Sequence, residues 1–278
     1  MVFNPWALLI AIPPLIAMPL LCRKAKTHDA LKREPFKDAV LRPPGESCRK
    51  KVMALEEEIP TLMLWFCTPL IFALVTVYVP THPIGCMILA LVSLGMTLHL
   101  SKKLWSLRDQ LRNYQVGFEG ERLVGQVINQ ALAQGCRVYH DVQFEGYNID
   151  HVIVAPAGVY AVETKTRRKG LEAGSHKVKY DGQKLIYPGW DDTYGLDQAE
   201  RNAKSLAIWL SSAVGEPVTV KPILTLPGWF IERIGKGRVH VLTPKEILKF
   251  VTPDVQAVLS PQLIQRIAHQ IEQRSVIS

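Results

Sequence analysis

The sequence lacks the residue combinations that mark several common classes of protein. Its five cysteines form no CxxC pair and no cluster with histidine, which excludes a structural zinc site and a disulfide framework. There is no Walker-type glycine loop and no G-x-S-x-G elbow, so neither a P-loop nucleotidase nor an α/β-hydrolase is indicated. No internal repeat or low-complexity tract is present either. What remains to be interpreted is the placement of apolar, acidic and basic residues.

Charge is missing from three long apolar stretches. Pro5–Cys22, Ile59–Val79 and Pro83–Leu100 contain no Asp, Glu, Lys or Arg, and each approaches the roughly 20 residues that a helix needs to cross a bilayer. The sequence therefore predicts three transmembrane helices. Because three prolines interrupt the first stretch, a re-entrant or interfacial helix is the alternative there.

Basic residues follow the first and third stretches and precede the second, whereas the turn between the second and third has none. The positive-inside rule then places the N-terminus outside, and residues 23–58 and everything after Leu100 in the cytoplasm. We expect a multi-pass protein of the inner (cytoplasmic) membrane, with the lipid bilayer as one partner. The predicted spans carry no charge, which disfavours a transporter.

The rest of the chain alternates between strand and helix patterns. Leucines at helical spacing in residues 101–116 predict a connecting helix. Residues 117–278 contain short β-branched runs separated by amphipathic segments, which predicts an α/β domain. The expected organisation is a membrane anchor at 1–100 with a cytoplasmic loop at 23–58, a connector at 101–116 and a domain at 117–278.

Two apolar runs between Asn148 and Lys165 predict a hairpin, because Pro156-Ala157-Gly158 supplies a turn between them. Folding back at this turn places Asp150 beside Glu163, within about one residue of register. Glu163 and Lys165 are two apart and so share a face. Two carboxylates and a lysine can hold a hard divalent cation with an ammonium beside it. Ordinary solvated charges at strand ends are the alternative.

A second motif precedes this hairpin. Gly117-Phe118-Glu119-Gly120-Glu121 is followed by apolar residues on a 3.6-residue period up to Gly135, which predicts an amphipathic helix with Glu121 in its first turn. An acidic residue there also has a simpler explanation, the helix macrodipole.

Together the motifs GFEGE, NID and GVYAVETK, in this order, resemble the NERD (nuclease-related) domain, a branch of the PD-(D/E)xK nuclease superfamily. The resemblance covers about Gly117 to Leu210. It implies a restriction-endonuclease-like core, a mixed β-sheet flanked by helices. Ile149 stands where the superfamily pattern has proline.

The resemblance also implies roles for particular residues. Its GxxGE pattern selects Glu121 over Glu119, so that Glu121, Asp150 and Glu163 would bind Mg²⁺ or Mn²⁺. Lys165 would orient the attacking water or stabilise the transition state, and Gln198 would orient substrate or water. The reaction implied is phosphodiester hydrolysis, with DNA as substrate and RNA still open.

Basic residues beyond the hairpin form a candidate nucleic-acid surface. They are interleaved with Tyr180 and Tyr187, and lysines beside aromatic rings can follow phosphates and stack bases. A solvated basic hairpin is the alternative. The lysines concerned are Lys169, Lys177, Lys179 and Lys184.

A different class of function stays open from the sequence. A membrane-anchored, non-catalytic subunit of a DNA-transfer or defence machinery would use the same anchor and basic residues without hydrolysis, together with partner subunits. The polar residues His140, Asp141 and His151 are interpreted as structural or surface residues.

Overall fold

The computed structural model describes residues 40–78, 82–172, 174–252 and 258–277. The predicted first span, Pro5–Cys22, lies outside these residues. The described helices are α1 (Glu46–Trp65), α2 (Cys67–Tyr78), α3 (Pro83–Ile128), a 3₁₀ helix (Asn129–Gln134), α4 (Tyr194–Val214), α5 (Pro244–Val251) and α6 (Pro261–Arg274). The strands are β1 (Arg137–Phe144), β2 (Tyr147–Ala155), β3 (Gly158–Thr164), β4 (Lys177–Tyr180), β5 (Leu185–Tyr187), β6 (Trp190–Asp192), β7 (Val220–Thr225), β8 (Phe230–Arg233) and β9 (His240–Leu242).

The described chain forms two compact units. One contains Glu57–Leu107, and the other contains Val40–Glu56 together with Arg108–Ser278. Residues 40–56 were expected to be part of a loop within the membrane anchor, and that assignment is wrong, because they pack into the α/β unit.

Only one helical stretch in the described ranges is long and apolar enough to cross a membrane, Pro83–Gln134. Its most apolar window is only 6% buried. The predicted second span, Ile59–Val79, is wrong as a continuous helix, since α1 ends at Trp65 and α2 begins at Cys67. Within the described residues, one candidate membrane span is therefore found where the sequence predicts two. The third predicted span falls within α3.

The α/β unit is built on a five-stranded mixed sheet in the order β1-β2-β3-β7-β9. The first three strands form antiparallel hairpins, whereas β7 and β9 run parallel to β3. This arrangement confirms the expected mixed sheet and the expected hairpin between β2 and β3.

Helices cover both faces of this sheet, as the alternation of side chains requires. Val159 and Ala161 belong to one buried cluster with Leu206 of α4 and Ile267 of α6. The residues between them on β3 face the other way. Tyr160 and Val162 are buried with Val124 and Ile128 of α3 and Ile247 of α5. Glu163 continues the row of Val159 and Ala161, and its carboxylate bonds to a side chain of α4.

A second, four-stranded sheet has the order β6-β5-β4-β8. Asp181-Gly182, a strong hairpin turn signal in the sequence, joins the antiparallel strands β4 and β5. The short strands β6 and β8 have no comparable signal. β6 has two exposed residues of three and β8 has three of four, so neither shows the apolar run that marks a strand. Their partner strands β5 and β4 supply most of the buried apolar residues of this sheet, and β8 adds Ile231.

A buried ion pair holds residues 40–47 against the domain. Asp141 is fully buried, and its carboxylate lies 2.6 Å from Arg42 Nη2 and accepts hydrogen bonds from the Ser47 amide and hydroxyl. Asn148 and Gln143 donate to its other oxygen. Asp141 also has a positive φ of 48°, a conformation that Asp and Asn tolerate better than most residues. Asp141 is therefore a structural residue, as the sequence indicated.

We expect Asp141→Asn to lower the free energy of unfolding by about 3–5 kcal/mol, because it leaves the Arg42 guanidinium buried without its counter-charge. Asparagine keeps the shape and tolerates the backbone conformation, so the loss reports the charge together with the hydrogen bonds that an amide nitrogen cannot accept. Urea unfolding of the purified chain measures it. The matched control is Asp191→Asn, which breaks the half-exposed pair with Lys184 and should cause no measurable loss. Equal effects in the two variants would contradict the assignment.

Candidate active site at the end of the β2–β3 hairpin

The hairpin register brings the first two predicted carboxylates together. His151 pairs with Val162, so the next residues along each strand, Asp150 and Glu163, face each other across the ladder. Both are buried, with 7% and 2% exposure. Directly opposed residues in an antiparallel pair have Cβ atoms about 5 Å apart. The register expected from the turn is therefore found.

The lysine and glutamine predicted for the site meet at Glu163. Lys165 Nζ donates to Glu163 Oε1 and to Gln198 Oε1, each at 2.8 Å. The other carboxylate oxygen of Glu163 accepts a hydrogen bond of 2.9 Å from Asn202 Nδ2. Gln198 and Asn202 are four residues apart on α4, so one face of this helix supplies both amides.

Asp150 is fixed by the backbone of the neighbouring strand. Its Oδ2 accepts a hydrogen bond of 2.7 Å from the Thr164 amide. Burial holds the pKa of Asp150 well above its usual range, and the nearby Glu163 and Glu121 carboxylates raise it further. Glu121 therefore lies close enough to Asp150 to act on its carboxylate.

Glu121 reaches the site from the interior of α3. The helix runs unbroken from Pro83 to Ile128, so the predicted helix start at Gly117 is wrong. Glu121 does not lie in a first turn, and the helix macrodipole cannot explain its presence. Its Oε1 accepts a hydrogen bond of 3.1 Å from the Cys48 thiol. Its Oε2 is buried and has no hydrogen-bond partner within the described ranges.

Gly120 allows α3 to approach the end of β3 closely enough for this contact. A Cβ atom at position 120 would overlap the side chain of Thr166, which follows Lys165 in the chain. Three residues earlier, a Cβ atom at Gly117 would lie in ordinary contact, 3.6 Å from Cys48 Sγ. The glycine in front of Glu121 is thus needed for close packing of helix against strand.

The three carboxylates make a strongly acidic, poorly solvated site. Burial raises the pKa of Glu121 to about 7, with Asp141 and Glu163 contributing, although the Cys48 hydrogen bond opposes the shift. Burial also raises the pKa of Glu163, against the opposing effect of Lys165. Ionised carboxylates at this density require a cation to offset their repulsion.

The donor chemistry fits a hard divalent cation, which prefers carboxylate oxygens. The unpartnered Glu121 Oε2 is the donor atom that such an ion would use first. Across the described parts of the chain, however, no three His, Cys, Asp or Glu side chains are arranged as a metal-binding group. The carboxylates would have to approach one another further to bind one ion together.

Residues 116–227 match the family model of NERD, the nuclease-related domain. The match includes Glu121, Asp150, Glu163, Lys165 and Gln198. Comparison with curated proteins and with solved structures found no match.

The NERD match does not include one residue that contacts the site. Cys48 lies in residues 40–56, far upstream of the matched range, and no motif in the sequence indicates it. Asn202 lies within the match, and its i+4 spacing from Gln198 could have revealed it. Both residues donate to predicted ligands, Cys48 to Glu121 and Asn202 to Glu163.

Two buried histidines lie on β1 and β2, the second of them within the β2–β3 hairpin. His140 and His151 are cross-strand partners with Nδ1 atoms 2.9 Å apart. His151 Nε2 also lies 3.3 Å from the Thr164 hydroxyl. Burial lowers the pKa of His140 to about 4 and that of His151 well below its usual range, so both are neutral near pH 7. They support the hairpin structurally.

The predicted nucleic-acid surface is only partly available. Lys177 and Lys179 are exposed on one face of β4, whereas Tyr180 and Tyr187 are 3% exposed and cannot stack a base. Lys184 is paired with Asp191 at 2.6 Å. Lys169 contacts the Gly228 carbonyl oxygen and lies 5.9 Å from the Trp229 ring.

We expect Gly120→Ala to destabilise the α/β unit by about 1–3 kcal/mol, because the added methyl group forces α3 away from Thr166. Alanine is otherwise favoured over glycine inside a helix by about 0.5–1 kcal/mol. Gly117→Ala is the matched control, since it lies in the same helix with room for a Cβ atom, and it should stabilise slightly. Thermal unfolding of both variants tests the difference in sign. A stabilising Gly120→Ala would refute the close approach.

We expect the metal-free protein to lose stability as the pH rises from about 4.5 to about 7. Glu121, with its pKa raised to about 7, keeps its proton in the folded state over this range, whereas the unfolded chain has already lost it. Glu121→Gln should reduce this loss. Urea unfolding in chelator at several pH values measures the slope, with Glu119→Gln on the exposed side of α3 as control. An unchanged slope in Glu121→Gln would contradict the raised pKa.

Proposed function

We propose that this protein is a divalent-metal-dependent nuclease that hydrolyses phosphodiester bonds of DNA. The observation that carries the proposal is the meeting of Glu121, Asp150, Glu163 and Lys165 at one end of the hairpin, within the range that matches the NERD model. A buried cluster of carboxylates with an ammonium beside it has no evident structural purpose, since burial makes it costly.

Each residue of the site would have a separate role in the reaction. Glu121, Asp150 and Glu163 would hold Mg²⁺ or Mn²⁺, which would supply Lewis acidity toward the phosphodiester. Lys165 donates to the attacking water or to the phosphate oxygen on which charge develops. Gln198 holds the Lys165 ammonium in position through its 2.8 Å hydrogen bond, and Asn202 fixes the Glu163 carboxylate from the other side.

We propose that α3 anchors the protein to the inner membrane through one span. Residues 83–100 measure about 27 Å at 1.5 Å per residue, close to the roughly 30 Å hydrocarbon core. Their apolar side chains are exposed, with Met87 at 59% and Leu91 at 61%, and an exposed apolar surface of this length favours lipid. Lys102 and Lys103 follow directly, which favours a cytoplasmic nuclease domain.

One observation favours a second candidate function. The Lys165 ammonium is already bonded to Glu163 and Gln198, and the carboxylates are not arranged to bind one metal together. A site of this kind suits a non-catalytic, membrane-anchored nucleic-acid-binding or assembly subunit that has kept the residues as a structural network. DNA, RNA or partner subunits would then be bound without hydrolysis.

The test is cleavage of DNA by the purified full chain, with Mg²⁺, Mn²⁺ or chelator. The full chain is required because a fragment beginning near residue 101 would remove Cys48, Arg42 and Ser47, which contact the domain. We expect metal-dependent cleavage that falls at least about 100-fold in Asp150→Asn, Lys165→Ala and Glu121→Gln.

Glu119→Gln is the matched control, since Glu119 is two residues from Glu121 but exposed, and it should keep activity. Cleavage that survives all three site substitutions would come from another protein and would refute the proposal. Binding of DNA without cleavage under every metal would favour the second candidate. An RNA substrate in the same assay separates the two polynucleotides.

A further inference from the structure

Basic residues occupy every second position at the start of the segment that follows β3, namely Lys165, Arg167 and Lys169. Lys165 Nζ lies 5.5 Å from the Tyr194 ring centroid, the Arg167 guanidinium 5.7 Å from the Trp190 ring, and Lys169 Nζ 5.9 Å from the Trp229 ring. Each distance is within the range of cation–π attraction. We call these three pairs the basic–aromatic ladder: Lys165 with Tyr194, Arg167 with Trp190, and Lys169 with Trp229.

The rings of the ladder differ in how much surface they offer. Trp229 is 5% exposed, and its indole N–H donates to the Arg167 carbonyl oxygen, so it anchors the segment. Tyr194 and Trp190 are 60% and 44% exposed. The two rings nearest the candidate active site are therefore the ones that a ligand can reach.

Trp190 is held rigidly enough to act as a platform. Tyr187 stacks against it with ring centroids 4.1 Å apart and planes within 6° of parallel, and Trp229 packs edge-on against Tyr187. A supported ring loses little conformational freedom when a flat ligand stacks on it. Tyr187 covers one face of the Trp190 ring, and the Arg167 guanidinium lies over the ring at 5.7 Å from its centroid. Trp190 still keeps 44% of its surface exposed, and a base that stacks on it would move the guanidinium aside.

That surface opens on a pocket of about 440 Å³. Trp190 and Trp229 contribute aromatic wall, while Arg168, Glu172 and Ser175 contribute polar groups. A pocket that combines aromatic surface with a few polar groups fits a flat heterocycle with hydrogen-bonding edges. Two exposed arginines, Arg167 and Arg168, lie next to it, with Arg167 paired at 3.3 Å to Asp192.

We propose that this pocket binds an unpaired nucleobase of single-stranded nucleic acid, stacked on Trp190, while Arg167 and Arg168 contact the adjoining phosphates. The occupant is a single strand because a base inside a duplex cannot present its face to an aromatic ring. Lys165 and Arg167 are two residues apart, so their Cα atoms lie within about 7 Å. The ladder therefore begins at a residue of the candidate active site, and in treating that site as the place of cleavage the inference rests on the proposed function.

The test measures binding of short fluorescent oligonucleotides to the full chain in chelator, where no cleavage occurs. We expect Trp190→Ala to weaken binding of single-stranded DNA about 10-fold, as loss of one base–aromatic stack should, and Trp190→Phe to restore most of it. An abasic oligonucleotide of the same length should bind wild type and Trp190→Ala equally, because it has no base to stack.

Phe230→Ala is the matched control. Phe230 is a 59% exposed aromatic residue on β8 of the same sheet, it does not line the pocket, and its removal should leave binding unchanged. Circular dichroism checks that each variant is folded. If Trp190→Ala binds the single strand as wild type does, or weakens duplex and abasic strands to the same extent, the stacking site is overturned.

A nucleoside monophosphate serves as a competitor to identify the source of the base. Weak competition compared with the oligonucleotide supports a strand, whereas equally tight, Trp190-dependent binding would overturn the strand in favour of a free nucleotide. The nuclease proposal and the stacking-site proposal can each be refuted without the other. Trp190-dependent binding by a chain that cleaves nothing would refute only the nuclease, and metal-dependent cleavage with unchanged binding in Trp190→Ala would refute only the stacking site.

Discussion

The burial of three carboxylates at one end of a hairpin is the constraint on which the rest of this structure depends. Asp150, Glu163 and Glu121 are each less than a tenth exposed, and each must find donors or a cation to offset the loss of water. The Thr164 amide, the Lys165 ammonium and the Cys48 thiol supply donors. These donors come from elements that are far apart in the chain, such as β3 and α1, so the elements must pack together at the site.

This constraint explains features that would otherwise look unrelated. Gly120 lets α3 contact the end of β3, and Asp141 with Arg42 holds residues 40–47 where Cys48 can reach Glu121. Both features shape the acidic site without contributing an oxygen to it. The residues that support the site therefore extend beyond residues 116–227, the range that matches the NERD model.

The acidic site and the basic–aromatic ladder are complementary parts of one surface. Lys165 belongs to both, since it bonds Glu163 and lies over Tyr194. A polyanion approaching the acidic cluster alone would be repelled, whereas the alternating cations beside it offset that repulsion and fix where the chain runs. In the proposed function, adjacent residues of a single segment would link recognition to chemistry.

The sequence alone determined the central hairpin and the starts of two helices, which depend on local pattern. The alternation and the turn fixed the hairpin and hence the meeting of Asp150 and Glu163, and Thr243-Pro244 and Ser260-Pro261 fixed the starts of α5 and α6. Tertiary structure decided the rest. That α3 continues through Gly117, that Cys48 contacts Glu121 and that Trp190 is exposed while Tyr187 is buried all depend on packing between distant segments. No local propensity encodes such packing, because its free energy arises only when those segments meet.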